Sequence, residues 1–332
     1  LNREPKPIGG FFELEIPPVH EPVHDNAIAL STGRSCLLAA LEYQRPRSCY
    51  VPHYTCDATL LPFWQLGIET PFYELDSQLR PVKTPELAED ECFLITNYWG
   101  LQRELASTYS EQFGSRLIVD DTHDYYSFGH YPKSWSFTSA RKYFGVPDGA
   151  FLYIPAGVEH DQVVGDNVNS FQSISLEHSV NRLLGRQEQA FVQYQAYEKS
   201  LPCALDRISD YSWAILSSLD LTATSARRRA NFDWLAEQLG TINALEIDSS
   251  GELTPFVYPL LPRTPMGKKS FHEQRIFVPT LWPDVLQRPN VTCKAAIEYT
   301  QNLIPLPVDH RYGEEDMQRI VDVTLSVEGQ SK

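Results

Sequence analysis

Residues 117–142 read LIVDDTHDYYSFGHYPKSWSFTSARK, and this stretch organises the rest of the chain. Leu117, Ile118 and Val119 make an apolar run that ends directly on Asp120, Asp121, Thr122 and His123. A second strand-like run, 134–138, leads to Ser139, Ala140, Arg141 and Lys142, with Gly145 and Gly149 close behind. Outward from here, strand-like runs recur at 49–51, 69–73, 92–96 and 150–154, with helical patterns at 35–43, 56–66 and 107–113. Short β-rich runs alternating with amphipathic helices predict an α/β fold: a mostly parallel sheet flanked by helices. Ligands in such sheets collect beyond the C-terminal ends of the strands, so functional residues are expected to follow strands.

C-terminal to that alternation the pattern changes. Residues 177–199 read as helical, and 224–239 (TSARRRANFDWLAEQL) as a long amphipathic helix. Its Arg227-Arg228-Arg229 run is read as a solvated face. Strand-like runs at 256–261 and 276–278 and a terminal helix from 314 to about 325 suggest a smaller α+β domain. The boundaries placed on this basis are 1–224, a large domain with an N-terminal arm, and 225–332. Two or three folding units suit 332 residues at roughly 100–200 residues each.

Composition narrows the function classes. Lys and Arg number 28 against 43 Asp and Glu, a net charge of −15, which repels a phosphate backbone and makes nucleic acid an unexpected partner. No run approaches the roughly 18 apolar residues of a membrane span, and residues 1–10 lack a signal-peptide pattern, so a soluble, cytoplasmic protein without a membrane partner is expected. Six cysteines form no CxxC pair, and no metal site is signalled. His20 and His24 stand four apart, but Pro17, Pro18 and Pro22 argue against the helix that would align them on a metal.

The residues after the two central strands suit pyridoxal phosphate (PLP) chemistry. That cofactor needs a lysine to form its Schiff base, a carboxylate to keep its pyridine nitrogen protonated, and donors for its phosphate. Lys142 is the candidate lysine, acting as a neutral amine and proton shuttle. Asp120 is the candidate partner of the pyridine nitrogen, with Asp121 as the neighbouring alternative. His123 is placed to pack against the ring or bond near its hydroxyl. Gly33, Arg34 and Ser35, at a helix N-terminus, would offer amides and a hydroxyl to the phosphate, where the helix dipole favours negative charge. Ser139 would add a hydroxyl.

In this order the motifs resemble those of the fold type I PLP enzymes, and within them the DegT/DnrJ/StrS-type sugar aminotransferases. Ser31-Thr32-Gly33-Arg34-Ser35-Cys36-Leu37 is similar to that family's phosphate loop. Val51-Pro52-His53-Tyr54-Thr55-Cys56-Asp57-Ala58-Thr59 is similar to its ring-stacking segment, Asp120 to His123 to its Asp-x-x-His element, and Ser139 to Lys142 to its lysine element. His123 falls at the family's offset from Asp120, which favours Asp120 over Asp121. The long helix with Arg229 to Leu235, and the terminal segments Leu306 to Asp309 and Asp316-Met317, extend the resemblance over most of the chain.

Two positions depart from the pattern. Arg34 replaces a small polar residue and could bind a phosphate or carboxylate itself. Cys56 stands where the family has its stacking aromatic, so either Tyr54 or His123 is expected to cover the ring, or stacking is weaker.

The resemblance implies a PLP-dependent aminotransferase that moves an amino group from a donor, glutamate by resemblance, to a keto substrate, a nucleotide-linked sugar, through a Lys142 internal aldimine. The alternatives are another PLP reaction (dehydration, decarboxylation or condensation) or a catalytically silent binding protein. Lys142 weighs against the family's dehydratases, where a histidine stands in its place. Asn97 and Tyr98, after the 92–96 run, are candidate substrate contacts. Tyr125 and Tyr126 are read as packing, and Asp309-His310-Arg311 as a surface turn. The resemblance also implies a homodimer with a shared active site, with 167–186, including Asn181, as a region where residues could cross from the partner.

Overall fold

Seven strands form one mixed sheet in a computed structural model of the chain, which describes residues 16, 24–165, 168, 170–248, 251, 253–289 and 291–330. They are β1 (Ile28–Leu30), β2 (Ser48–Pro52), β3 (Phe72–Tyr73), β4 (Glu91–Thr96), β5 (Leu117–Asp120), β6 (Trp135–Ser139) and β7 (Ala150–Tyr153), in the order β1-β7-β6-β5-β4-β2-β3. The neighbours from β3 to β6 pair in parallel, whereas β7 runs antiparallel to both β6 and β1. Every residue of β5, β6 and β7 is buried, as expected for central strands covered on both faces.

Helices α1 (Gly33–Gln44), α2 (Asp57–Leu66) and α3 (Arg103–Phe113) link the first strands. Beyond β7 come α4 (His160–Val163), α5 (Glu177–Leu183), α6 (Gln187–Ser200) and α7 (Asp210–Ser217). The helical stretch expected at 177–199 is thus two helices, broken where Gly185 adopts a φ of 76°. Glycine takes that conformation at little cost.

The expected boundary at 224/225 falls inside α8 (Leu221–Leu239). Beyond it lie β8 (Val257–Leu260), α9 (Lys268–Glu273), α10 (Lys294–Asn302), β9 (Ile304–Pro307) and α11 (Glu314–Gln330). β8 and β9 pair antiparallel as a second sheet, with Pro259 opposite Pro305. Residues 276–278 form no strand, although Ile276 and Val278 are buried. One apolar cluster joins the two sheets: Tyr54, Phe93 and Val119 pack in it with Val257, Leu281 and Tyr299.

The arginine run of α8 is not a uniformly solvated face. Arg227 is exposed, but Arg228 shares the inward stripe of Asn231, Phe232, Leu235 and Leu239. The helical period of 3.6 turns one residue in three or four of such a run toward the core.

Among the described residues no helix is long and apolar enough to cross a membrane, and no His, Cys, Asp and Glu cluster could hold a metal. His20 lies outside the described residues. His24 is buried, bonds through Nδ1 to the Tyr153 hydroxyl and stacks on Phe151.

Candidate functional site

The C-terminal ends of β5 and β6 face the N-terminus of α1. Asp120 is the last residue of β5, in register with Thr96 of β4 and Phe137 of β6. A 3-10 turn, Ala140–Lys142, follows β6 and presents Lys142 beside the same strand ends. Thr32 caps α1, its hydroxyl accepting the Ser35 N–H at 3.1 Å. A cavity of about 120 Å³ opens between these elements, with Gly33, Arg34, Cys56, Asp120, Ser139 and Lys142 on its walls.

Asp120 is buried, and its Oδ1 accepts the Thr122 N–H at 3.0 Å. Burial raises its pKa, against the pull of Thr122 and of the Lys142 cation. Lys142 itself is solvent-exposed, with Nζ 5.8 Å from the centre of the Phe256 ring. The Arg34 guanidinium donates to the Leu201 carbonyl at 3.2 Å, and its pKa is lowered by burial and by Arg141. Arg141 is ion-paired to Glu198.

Asp121, one residue on, enters a closed network. Its Oδ1 accepts from Asn97 Nδ2 at 2.9 Å and from the Tyr131 hydroxyl at 3.4 Å. Asn97 also donates to Asp124 at 3.3 Å and accepts the Gln102 N–H at 2.7 Å. Asp124 is ion-paired to Arg103 at 2.8 Å. Asp121, Asn97 and Asp124 are fully enclosed and line no wall of the Lys142 cavity.

The remaining expected residues are distributed unevenly. The Ser35 hydroxyl bonds to Ser31 at 3.0 Å and Thr32 at 2.9 Å inside the helix cap, away from the cavity wall. The buried Tyr98 hydroxyl donates to the Tyr54 carbonyl at 2.6 Å, and Tyr98 borders a separate cavity with Arg103 and His130. Asn181 donates to Gln193 at 2.8 Å and accepts from Arg186 at 3.2 Å. Asn167 lies outside the described residues. Tyr125 and Tyr126 pack in an aromatic core cluster. Asp309 and Arg311 form a two-pronged ion pair, at 2.7 and 3.0 Å, on the wall of a further cavity.

The aromatic wall comes from a residue that local pattern did not single out. Trp282 lines the cavity, whereas Tyr54 and His123 do not. The His123 imidazole is buried, lies nearly parallel to the Trp282 indole (5° at 5.8 Å) and stacks on Phe256 (9° at 4.6 Å). Its Nδ1 accepts the Trp99 N–H at 3.3 Å and its Nε2 has no partner. Burial, then the Lys142 charge, lowers its pKa well below the usual imidazole range, which keeps it neutral. Trp282 has a φ of 62°, a costly conformation for a bulky residue that persists only when its surroundings enforce it. Arg288 enforces it by bonding Asp57 at 2.6 Å and the Thr55 carbonyl at 2.7 Å, while Asp284 accepts the Asp57 N–H at 3.3 Å. Trp282 thus stands some 160 residues from Asp120 in sequence, beyond the reach of any periodicity or spacing argument.

No protein-family model matches the sequence, and no curated protein matches it. Solved structures do match. DesV of S. venezuelae, in complex with a ketimine intermediate, superposes with a TM-score of 0.65 at 16% identity over 90% of this chain and 83% of its own. The PLP-form of Spr1654 from Streptococcus pneumoniae, described as a sugar aminotransferase, gives a TM-score of 0.63 at 12% identity over 92% and 88%. GDP-4-keto-6-deoxymannose-3-dehydratase (ColD), with bound GDP-perosamine, gives 0.65 at 13% over 90% and 87%. What the chain shares with these enzymes is the fold, the fold type I α/β architecture.

Proposed function

We propose that the chain is a PLP-dependent sugar-modifying enzyme of the DegT/DnrJ/EryC1/StrS type, and specifically an aminotransferase that acts on a keto group of a nucleotide-linked sugar. The observation that carries this reading is the cavity where buried Asp120 and exposed Lys142 face the N-terminus of α1 with Gly33 and Arg34. The residues fit the cofactor. The α1 N-terminus and the Arg34 guanidinium offer donors and positive charge to a phosphate. Asp120, desolvated in the wall, is suited to hold a proton on a pyridine nitrogen. Ser139 borders the same space. When bound, PLP supplies an aldehyde for Lys142 and an electron sink for the substrate carbanion.

The chain's own groups then divide the work. Lys142, exposed on a 3-10 turn beside the cavity, would be placed to carry a proton between the two carbons that flank the imine nitrogen of a bound substrate. Asp120 holds charge at the far wall. Trp282 and Cys56 line the same space, and the Arg141–Glu198 pair lies on its wall. A homodimer is part of the proposal: Val180, Leu183, Leu184, Phe191 and Val192 on and between α5 and α6 are exposed apolar side chains, a pattern typical of an interaction surface.

The likeness to ColD keeps dehydration as a second reading, and Lys142 speaks for transamination. The test is borohydride reduction of the PLP-loaded protein, followed by peptide mapping. PLP fixed on the Lys142 peptide, and lost in Lys142→Ala, is the expected outcome; equal fixation in that variant would overturn the assignment. Glutamate nitrogen recovered on the sugar product indicates transamination, whereas a sugar product that has lost water and carries no new nitrogen indicates dehydration.

A further inference from the structure

Lys142 borders a second cavity, of about 270 Å³, that Asp120 does not line. Its walls carry Lys142, Arg182, Arg228, Arg275, Arg311 and Arg319, with Asp309 and Asp316 as their acidic company. So many cations around one hollow stand out in a chain of net charge −15.

The partners of these guanidiniums show how much charge is left. Arg311 is neutralised by Asp309, and Arg275 pairs with Glu188 at 3.6 Å. Arg319 bonds only the Gln274 carbonyl, and Arg182 lies over the Phe277 ring, 5.8 Å from its centre. Arg228 is the telling member. It is 1% exposed, yet it reaches only the Tyr143 carbonyl (3.1 Å), the Phe256 carbonyl (3.4 Å) and the face of the Tyr143 ring (4.4 Å), and its Nε–H has no partner. Among the described residues no carboxylate lies within ion-pairing distance of Arg182, Arg228 or Arg319. Asp309 acts on Arg228 only through space, its carboxylate being held by Arg311, and a buried guanidinium with no directly paired counter-charge is disfavoured unless an anion completes it.

We propose that this cavity is an anion subsite that binds a multiply charged oxyanion, a diphosphate or a dicarboxylate, carried by the molecule whose reacting carbon meets Lys142. Three guanidiniums without a carboxylate match more than one negative charge, since a single carboxylate is satisfied by one two-pronged guanidinium. Arg228 is the floor of the site, and Arg182 and Arg319 are its rim. Arg228 also holds the Tyr143 and Phe256 backbones, which flank Lys142 in sequence and in space. An anion on Arg228 would therefore share a cavity with the Lys142 side chain. The link to catalysis rests on the function proposed above, whereas anion binding itself does not.

The test is calorimetry on the protein with and without PLP, using pyrophosphate, uridine diphosphate, 2-oxoglutarate and acetate as probes, at low and high salt. Saturable, salt-weakened binding of a polyanion, with none of acetate, is expected. A preference for the two diphosphates identifies the diphosphate of a nucleotide-linked substrate as the ligand, and a preference for 2-oxoglutarate the dicarboxylic partner. The double variant Arg182→Gln/Arg319→Gln, which leaves the buried floor in place, should bind at least about tenfold more weakly while borohydride still fixes PLP on its Lys142. Absence of saturable polyanion binding, or equal affinity in the double variant, would overturn the subsite. Polyanion binding that persists in a protein whose Lys142 takes up no PLP would instead discard the proposed function and leave the subsite standing.

Discussion

Asp120 and Asp121 are adjacent in sequence and opposite in fate. Successive residues leaving a strand face opposite ways, so Asp120 looks into an open cavity shared with Lys142 while Asp121 enters a sealed network with Asn97, Tyr131 and Asp124. Burial raises both carboxyl pKa values, but only Asp121 is buried against a second carboxylate, Asp124. One carboxylate borders open space. The other is placed for the turn that carries Asn97 and His123. Burial alone therefore does not mark a functional carboxylate; the space in front of it does.

The sharpest way to break that contrast is to neutralise each member separately. Asp120→Asn should lower PLP-dependent turnover by roughly 10²–10⁴-fold with little change in the denaturation midpoint. Asp121→Asn should keep turnover within a small factor. Reversed effects, read by steady-state rates beside urea melts, would exchange the two roles.

The network side is sharpened by removing its cation. Asp124 is fully buried and ion-paired to Arg103, and deleting one partner of a buried pair leaves the other uncompensated. Arg103→Met should destabilise the fold by about 3–5 kcal/mol, measured by denaturant unfolding. A loss below about 1 kcal/mol would mean that the pair is effectively solvated.

The same network predicts a pH dependence. Burial outweighs Arg103 and raises the Asp124 pKa from 3.8 to about 6. The folded state thus holds a proton that the unfolded chain releases, so this group's contribution is fully present below about pH 4 and is lost as pH rises through about 6. Between those limits the wild-type protein should lose stability relative to Asp124→Asn. Parallel stability–pH curves for the two proteins would contradict the assignment. The Asp120 side should not follow this curve, because a bound cofactor cation would favour its charged form.

How much of this was legible depends on the range of each interaction. The strands at 117–120 and 135–139 and the helix beginning at Gly33 announce themselves through local apolar runs and a Thr cap, and so Asp120, Arg34 and Lys142 could be placed from sequence. β9 could not. Its Ile-Pro-Leu-Pro sequence lacks strand character, and it exists because β8 is its single partner and the core below is apolar. Arg228 was hidden differently, since a run of three arginines carries no sign of which one a helix turns inward. The Ser35 hydroxyl, expected at the phosphate, was taken by the cap that forms the helix.

Trp282 marks the limit of local reasoning and sets the smallest effect. By the resemblance Cys56 stands where an aromatic is expected, but nothing near it says that an indole returns to the same cavity from beyond β8. Held at a φ of 62° by the Arg288 and Asp284 bonds to the 55–57 loop, Trp282 ties occupancy of the cavity to the C-terminal part of the chain. An aromatic contact of this kind is worth about 0.5–1.5 kcal/mol beyond its buried area. Trp282→Leu should therefore weaken PLP retention by about tenfold or less, and Trp282→Phe should restore most of it. PLP addition should also quench tryptophan emission in the wild-type protein more than in Trp282→Phe. Equal quenching and equal retention in all three proteins would place the indole outside the cofactor space and return the covering role to His123.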